Sequence, residues 1–114
     1  MRGRTLALVV VILAAGVTTA SASRLPTKAE RHEIVRVMPR ISYPRSWYYL
    51  VIRVSTVVPT WAGVHIRPRP GYRGRVQVDQ GSFHKSRGHW RFFEIHDSCR
   101  VPARVRADLN LPCF

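Results

Sequence analysis

The spacing of apolar and polar positions changes several times along the chain, and each change marks a candidate element. Leu6 to Gly16 is an apolar run without periodicity, preceded by Arg2 and Arg4 and followed by the small residues Thr18-Thr19-Ala20-Ser21-Ala22. A helical period then begins at Thr27-Lys28-Ala29-Glu30, the S/T-x-x-E pattern in which two side chains satisfy free amides of the first turn. Ile34, Val37 and Met38 follow on one side, with Arg31, Glu33 and Arg36 on the other. Pro39 disfavours helical angles at Met38, so the helix is expected over residues 28–38. Residues 42–46, with Pro44 among them, read as a loop.

The period next drops to two. Residues 47–58, rich in aromatic and β-branched types, predict a strand with Leu50, Ile52 and Val54 on one face. Residues 61–67 predict a second, with Ala62, Val64 and Ile66 alternating against Gly63, His65 and Arg67. Pro68-Arg69-Pro70-Gly71-Tyr72-Arg73-Gly74 is a loop on its Pro and Gly content. A third strand is expected over 75–85, bulged at Gly81. Ser86-Arg87-Gly88 is a turn, and residues 89–97 return as a fourth strand. That strand has Trp90 and Phe92 on one face and Phe93 and Ile95 on the other, a pattern of central or helix-covered strands. Pro102 suits the first position of a final short helix, in which Val101, Val105 and Leu109 form one stripe and Arg104 and Asp108 an i,i+4 pair. Helix, four-stranded antiparallel meander, helix is an α+β order. The expected picture is a cystatin-like helix across a curved sheet, with a small open barrel as the alternative.

The opening segment has the layout of a secretory signal peptide: a basic start, an apolar stretch, and the A-x-A-like step Ala20-Ser21-Ala22. Cleavage after Ala22 is expected, leaving residues 23–114 as one small domain outside the cell with no stable membrane insertion. An uncleaved anchor fits less well, because a span needs about twenty mainly apolar residues and this run ends in Thr and Ser. The chain has 19 Lys and Arg against 6 Asp and Glu, a net charge of +13, and removing Arg2 and Arg4 brings it to +11. With 46% hydrophobic residues this is no disordered basic tail, and 114 residues leave no room for a multidomain enzyme. Cys99 and Cys113 are the only cysteines and lack C-x-x-C spacing, so in an oxidising compartment they form one structural disulfide. Closing a loop of about 15 residues contributes about 3 kcal/mol in the chain-entropy account.

Ser55-Thr56, Trp61-Ala62, Gly88-His89-Trp90, Cys99, Val101-Pro102-Ala103, Val105, Asp108-Leu109 and Cys113 form a recurring pattern. It resembles the tail of small exported proteins of high-GC Gram-positive bacteria, an uncharacterised group. The likeness covers about half the chain and implies export and a shared fold, without an activity. The arginine-rich loop sets this sequence apart.

Candidate chemistry is limited. Arg67, Arg69, Arg73 and Arg75 cluster around Tyr72, and a guanidinium fork matches phosphate or sulfate oxygens while a tyrosine ring stacks on a base or sugar. This predicts contact with an anionic partner: an envelope polymer, a nucleic acid or an acidic protein face. The competing readings are a small secreted hydrolase of ribonuclease type, with Glu94 and His96 as a weak acid–base pair beside Arg91, and a protein-directed inhibitor or effector. Trp47, Tyr48, Tyr49, Trp61 and Trp90 exceed what a small core hides, so one or two are candidate partner anchors. His84 and His89 would face each other across a four-residue turn, but a pair without a third ligand makes a poor metal site, and no metal or other cofactor is expected. No G-x-S-x-G elbow, Gly-rich phosphate loop, EF-hand or zinc-finger spacing occurs. Catalysis is therefore less expected than binding, and the residues do not choose the ligand.

Overall fold

The computed structural model describes residues 23–114; the expected signal segment, 1–22, lies outside the described residues. The first element is α1 (Lys28–Arg36), opened by the expected reciprocal cap: the Glu30 amide donates to Thr27 Oγ1 at 3.1 Å and the Thr27 amide to Glu30 Oε1 at 2.8 Å. Glu30 also takes both arms of Arg24 at 2.8 Å, which pulls its carboxyl down to about 2. The Arg24 backbone in turn pairs with Val54, tying the start of the described chain to a sheet edge.

Four strands follow as an open antiparallel meander in the order β1 (Tyr48–Val54), β2 (Trp61–Pro68), β3 (Asp79–Ser86), β4 (His89–Ile95). The two outer strands, β1 and β4, do not pair, so the sheet does not close into a barrel. The chain ends with α2 (Ala103–Leu109), and the Cys99–Cys113 disulfide links the segments on either side of it. Helices around an antiparallel sheet give the expected α+β class, and among the described residues no helix is long and apolar enough to cross a membrane.

The two helices lie on opposite faces of the sheet. Ile34 of α1, fully buried, packs on Ile52, Val54, Ala62, Val64, Phe83 and Trp90. Residues one position out of step, Trp61 and Gly63, instead meet Val101, Val105, Leu109 and Leu111 of α2 and its flanks. The strand covered on both faces is therefore β2, buried without a break from Trp61 to Ile66. The expectation that β4 is buried on both faces is corrected: it is an edge strand, and Phe92 and Ile95 are exposed. A bulge explains its misleading pattern. Ser82 faces Glu94 while Phe83 faces Phe92, which leaves Phe93 extra and turns it onto the α2 side against Trp61. The irregularity falls between Ser82 and Phe83, one step beyond Gly81.

Other boundaries shift for local reasons. β1 stops at Val54 because the Ser55 side chain accepts the Val57 and Val58 amides at 3.1 and 3.0 Å, so these β-branched residues form a turn. At its start, Trp47 closes a 3-10 turn from Arg45. β3 begins at Asp79 because Val76 leaves the strand line to fill a small core with Tyr48 and Ile66. The β3–β4 turn has two residues, Arg87 at φ 54° and Gly88 at φ 80°, the backbone of a twisted hairpin turn. Pro102 caps α2 from outside instead of occupying its first turn. Asp108 does not pair with Arg104; it accepts from Ser55 Oγ at 2.8 Å and the Thr56 amide at 2.9 Å, clamping the β1–β2 loop to α2.

Candidate anion-binding face

The arginine cluster sits where β2 leaves the sheet. Arg67 is on β2, opposite Tyr49 of β1, and Arg69, Arg73 and Arg75 belong to the segment 69–78 before β3. This segment is a held loop. The Arg69 amide donates to the Trp47 carbonyl at 2.8 Å, the Tyr72 amide to Arg69, and the Val76 amide to Tyr72, while Val76 itself is only 3% exposed. Gly71 and Gly74 sit at φ 93° and 87°, backbone angles that residues with a Cβ adopt only under strain, so the loop path depends on them.

The four guanidiniums divide between two surroundings. Arg67 and Arg73 line a cleft of about 370 Å³ with Tyr49 and Val78, and Arg69 lies 6.0 Å over the Tyr49 ring. Arg75 turns to the aromatic side of the loop, 4.8 Å over Trp47 and 5.9 Å over Tyr72. There Tyr72 stacks on Trp47 at 5.2 Å, and Trp47 on Tyr43 at 6.3 Å, so one side of the Tyr72 ring is already occupied. The exposed ring beside the arginines is Tyr49, at 41% exposure; Trp61, Trp90 and Tyr48 are core residues and Trp47 is half-buried.

A second cleft, of about 550 Å³, runs between β2 and the end of α2, lined by His65, Arg67, Gln80, Arg106 and Asn110 among others. It shares Arg67 and Val78 with the first, so the two form one groove on the α2 face of the sheet. His65 and Arg67 reach it by strand alternation, two positions apart on one face. Arg106 comes from α2, its Nη1 donating to the carbonyls of Cys99 and Val101. His65 Nε2 lies 2.9 Å from the Asn110 carbonyl, so it carries the proton, because a carbonyl can only accept. Burial holds this imidazole below the ordinary histidine range, Arg67 adds to the effect, and the Asn110 bond opposes it.

The field in the groove is uncompensated. Among the described residues no carboxylate comes within 4.0 Å of Arg67, Arg69, Arg73 or Arg75. The acids are engaged elsewhere: Glu30 with Arg24, Glu33 with His89, Asp79 with His96, Glu94 with Arg100, and Asp108 with Ser55. Asp97 accepts the Cys99 amide. A wall of one charge sign beside low-dielectric protein favours anions.

Glu94 and His96 have separate partners. The bulge places Glu94 opposite Ser82, where it takes Arg100 Nε at 2.7 Å, while His96 lies past the end of β4 at φ 72°, with Nδ1 3.3 Å from Asp79 and its ring stacked on Phe114. No hydrogen bond joins the pair. His84 and His89 do not face each other either: the shorter turn sets His84 against Arg91 and on the Trp61 ring, and sends His89 to Glu33. Asp97, Cys99 and Cys113 lie close enough together to match a metal site in spacing alone, yet both sulfurs are joined in the disulfide.

Sequence reasoning missed His65, Gln80 and Arg106 as members of one site, and offered Tyr49 only as one of several candidate aromatic anchors. The alternation signal for His65 beside Arg67 was present, but nothing local says that α2 comes to rest beside them. Compared with protein-family models, curated proteins and solved structures, the chain matches none of them.

Proposed function

We propose that this is an exported basic protein that binds an anionic polymer along the groove of Arg67, Arg69, Arg73 and Arg106, with Tyr49 as its stacking surface. One observation carries this reading: an arginine-lined groove of two joined clefts in which no carboxylate approaches the cluster from the loop. Guanidinium forks suit phosphate, sulfate or carboxylate oxygens, and an exposed ring next to them suits a base or sugar. Arg75, over Trp47 and Tyr72, extends the positive surface around the loop. Export rests on the signal-like segment with cleavage after Ala22, and the disulfide is in keeping with an oxidising compartment. Ser23 and Arg24, just past that cut, are held by Arg53 and Val54, so removing residues 1–22 leaves both attachments in place. Within this reading α1 over the meander is the cystatin-like half of the fold, and α2 forms the far wall of the groove.

The test is fluorescence anisotropy of the oxidised protein with a labelled single-stranded oligonucleotide, titrated across salt concentrations. Binding is expected to weaken linearly in log–log form. Joint Arg67→Ala, Arg69→Ala and Arg73→Ala substitution should flatten the slope by about 0.7 per lost phosphate contact. Affinity that ignores both salt and these substitutions overturns the reading in favour of a protein-directed effector. Shortening of an RNA probe in the same mixture, abolished by His96→Ala, would return the site to Glu94 and His96 and a ribonuclease-type hydrolase.

A further inference from the structure

The larger cleft holds more than cations. His65 and Gln80 are cross-strand neighbours on its floor, each 9% exposed. His65 spends its single ring proton on the Asn110 carbonyl, so Nδ1 is a bare acceptor without a partner among the described residues. Gln80 is fixed in the same way. Its Nε2 donates to the His96 carbonyl at 2.7 Å, so Oε1 is a second unpartnered acceptor. A purely anionic ligand has no use for either atom, since acceptors repel it. What the pair lacks is a donor, and both acceptors belong to side chains that line the cleft, where a ligand can supply one. Arg67 and Arg106 stand at the same cleft as donors for the anion itself.

We infer that the His65–Gln80 floor accepts a hydrogen bond from a ligand hydroxyl next to a phosphate held by Arg67 and Arg106, so that the groove selects phosphodiester chains bearing a free hydroxyl beside the phosphate. This rests on the anion-binding reading and narrows its ligand. RNA has that chemistry through its 2′-hydroxyl, and polyol-phosphate envelope polymers have it through their free hydroxyls; DNA and 2′-O-methyl RNA do not.

The experiment compares one oligonucleotide sequence as RNA, 2′-O-methyl RNA and DNA at fixed salt, with a glycerol-phosphate polymer carrying free or esterified hydroxyls as a further arm. RNA is expected to bind about threefold to tenfold more tightly than the 2′-O-methyl and DNA forms, the worth of one net hydrogen bond. His65→Phe should erase that ratio. Because it also leaves the Asn110 carbonyl unpaired, Gln80→Met serves as the second variant and should reduce the ratio while the protein stays folded by circular dichroism. Tight binding of the free-hydroxyl glycerol-phosphate polymer, lost on esterification, assigns an envelope source; RNA preference with weak polymer binding assigns RNA. Equal affinity for RNA and 2′-O-methyl RNA overturns the hydroxyl selection while leaving anion binding intact. Failure of all these polymers to bind removes the anion reading and this inference with it.

Discussion

Two ionisable side chains on opposite sides of the sheet are shifted in ways that separate their effects on stability. His65 is held neutral by burial, so its folded value is lower than that of the unfolded chain, about 6.5. Between those values the unfolded chain binds more protons, and stability rises with pH. The contribution is complete above about pH 6.5 and is lost as pH falls through the lowered folded value. Glu30 is lowered from 4.5 to about 2, chiefly by its hydrogen bonds to Arg24, so its share is present above 4.5 and lost as pH falls toward 2. Thermal unfolding measured from pH 7.5 down to 5 should therefore show a fall in midpoint that His65→Gln flattens, since an amide can still donate to Asn110 without titrating. An unchanged slope in that variant would place the titration elsewhere.

The covered element is β2, and a glycine makes that possible. A Cβ on Gly63 would lie 3.2 Å from Leu111 Cδ2 and 3.4 Å from the Leu109 Cβ, so the end of α2 rests directly on the strand backbone. Gly63→Val should overpack this contact and cost about 1–3 kcal/mol in chemical denaturation. Because His65 and Asn110 are joined next to it, the variant should also disturb the groove. Denaturation at the wild-type midpoint would mean that α2 yields freely. Most of the residues on which the sequence analysis read a resemblance belong to this same framework. Ser55 and Asp108 clamp a loop, Trp61, Ala62, Trp90, Val101, Val105 and Leu109 are buried, and Cys99 and Cys113 are bonded. These are packing positions, and none of the arginines of the groove is among them.

Across the whole molecule, a small sheet with a separate core on each face depends on α2 staying docked. The disulfide holds both flanks of that helix, so reduction should lower stability by about 3 kcal/mol, read as a shift in the denaturation midpoint on adding reductant. No shift would mean that α2 packing alone holds the end of the chain. The elements were legible in the sequence because their causes are local. Thr27 and Glu30 cap a helix wherever they sit, alternation over Trp61–Ile66 makes a strand, and two cysteines in an oxidised chain have only each other. Three errors had causes that hydrophobic periodicity does not register: Val57 and Val58 are drawn off the strand by the neighbouring Ser55 hydroxyl, Val76 by a pocket under Tyr48 and Ile66, and Phe93 by a bulge. The candidate site was legible only as an arginine cluster. Helix placement decided the rest. α2 docked on the face opposite α1 brings Arg106 and Asn110, distant along the chain from both, to the cleft of His65 and Gln80. Hydrogen bonds to two backbone carbonyls then leave two acceptors bare. Periodicity and charge follow from neighbours in the chain, whereas a cleft exists only once distant segments have packed, and no run of residues encodes it alone.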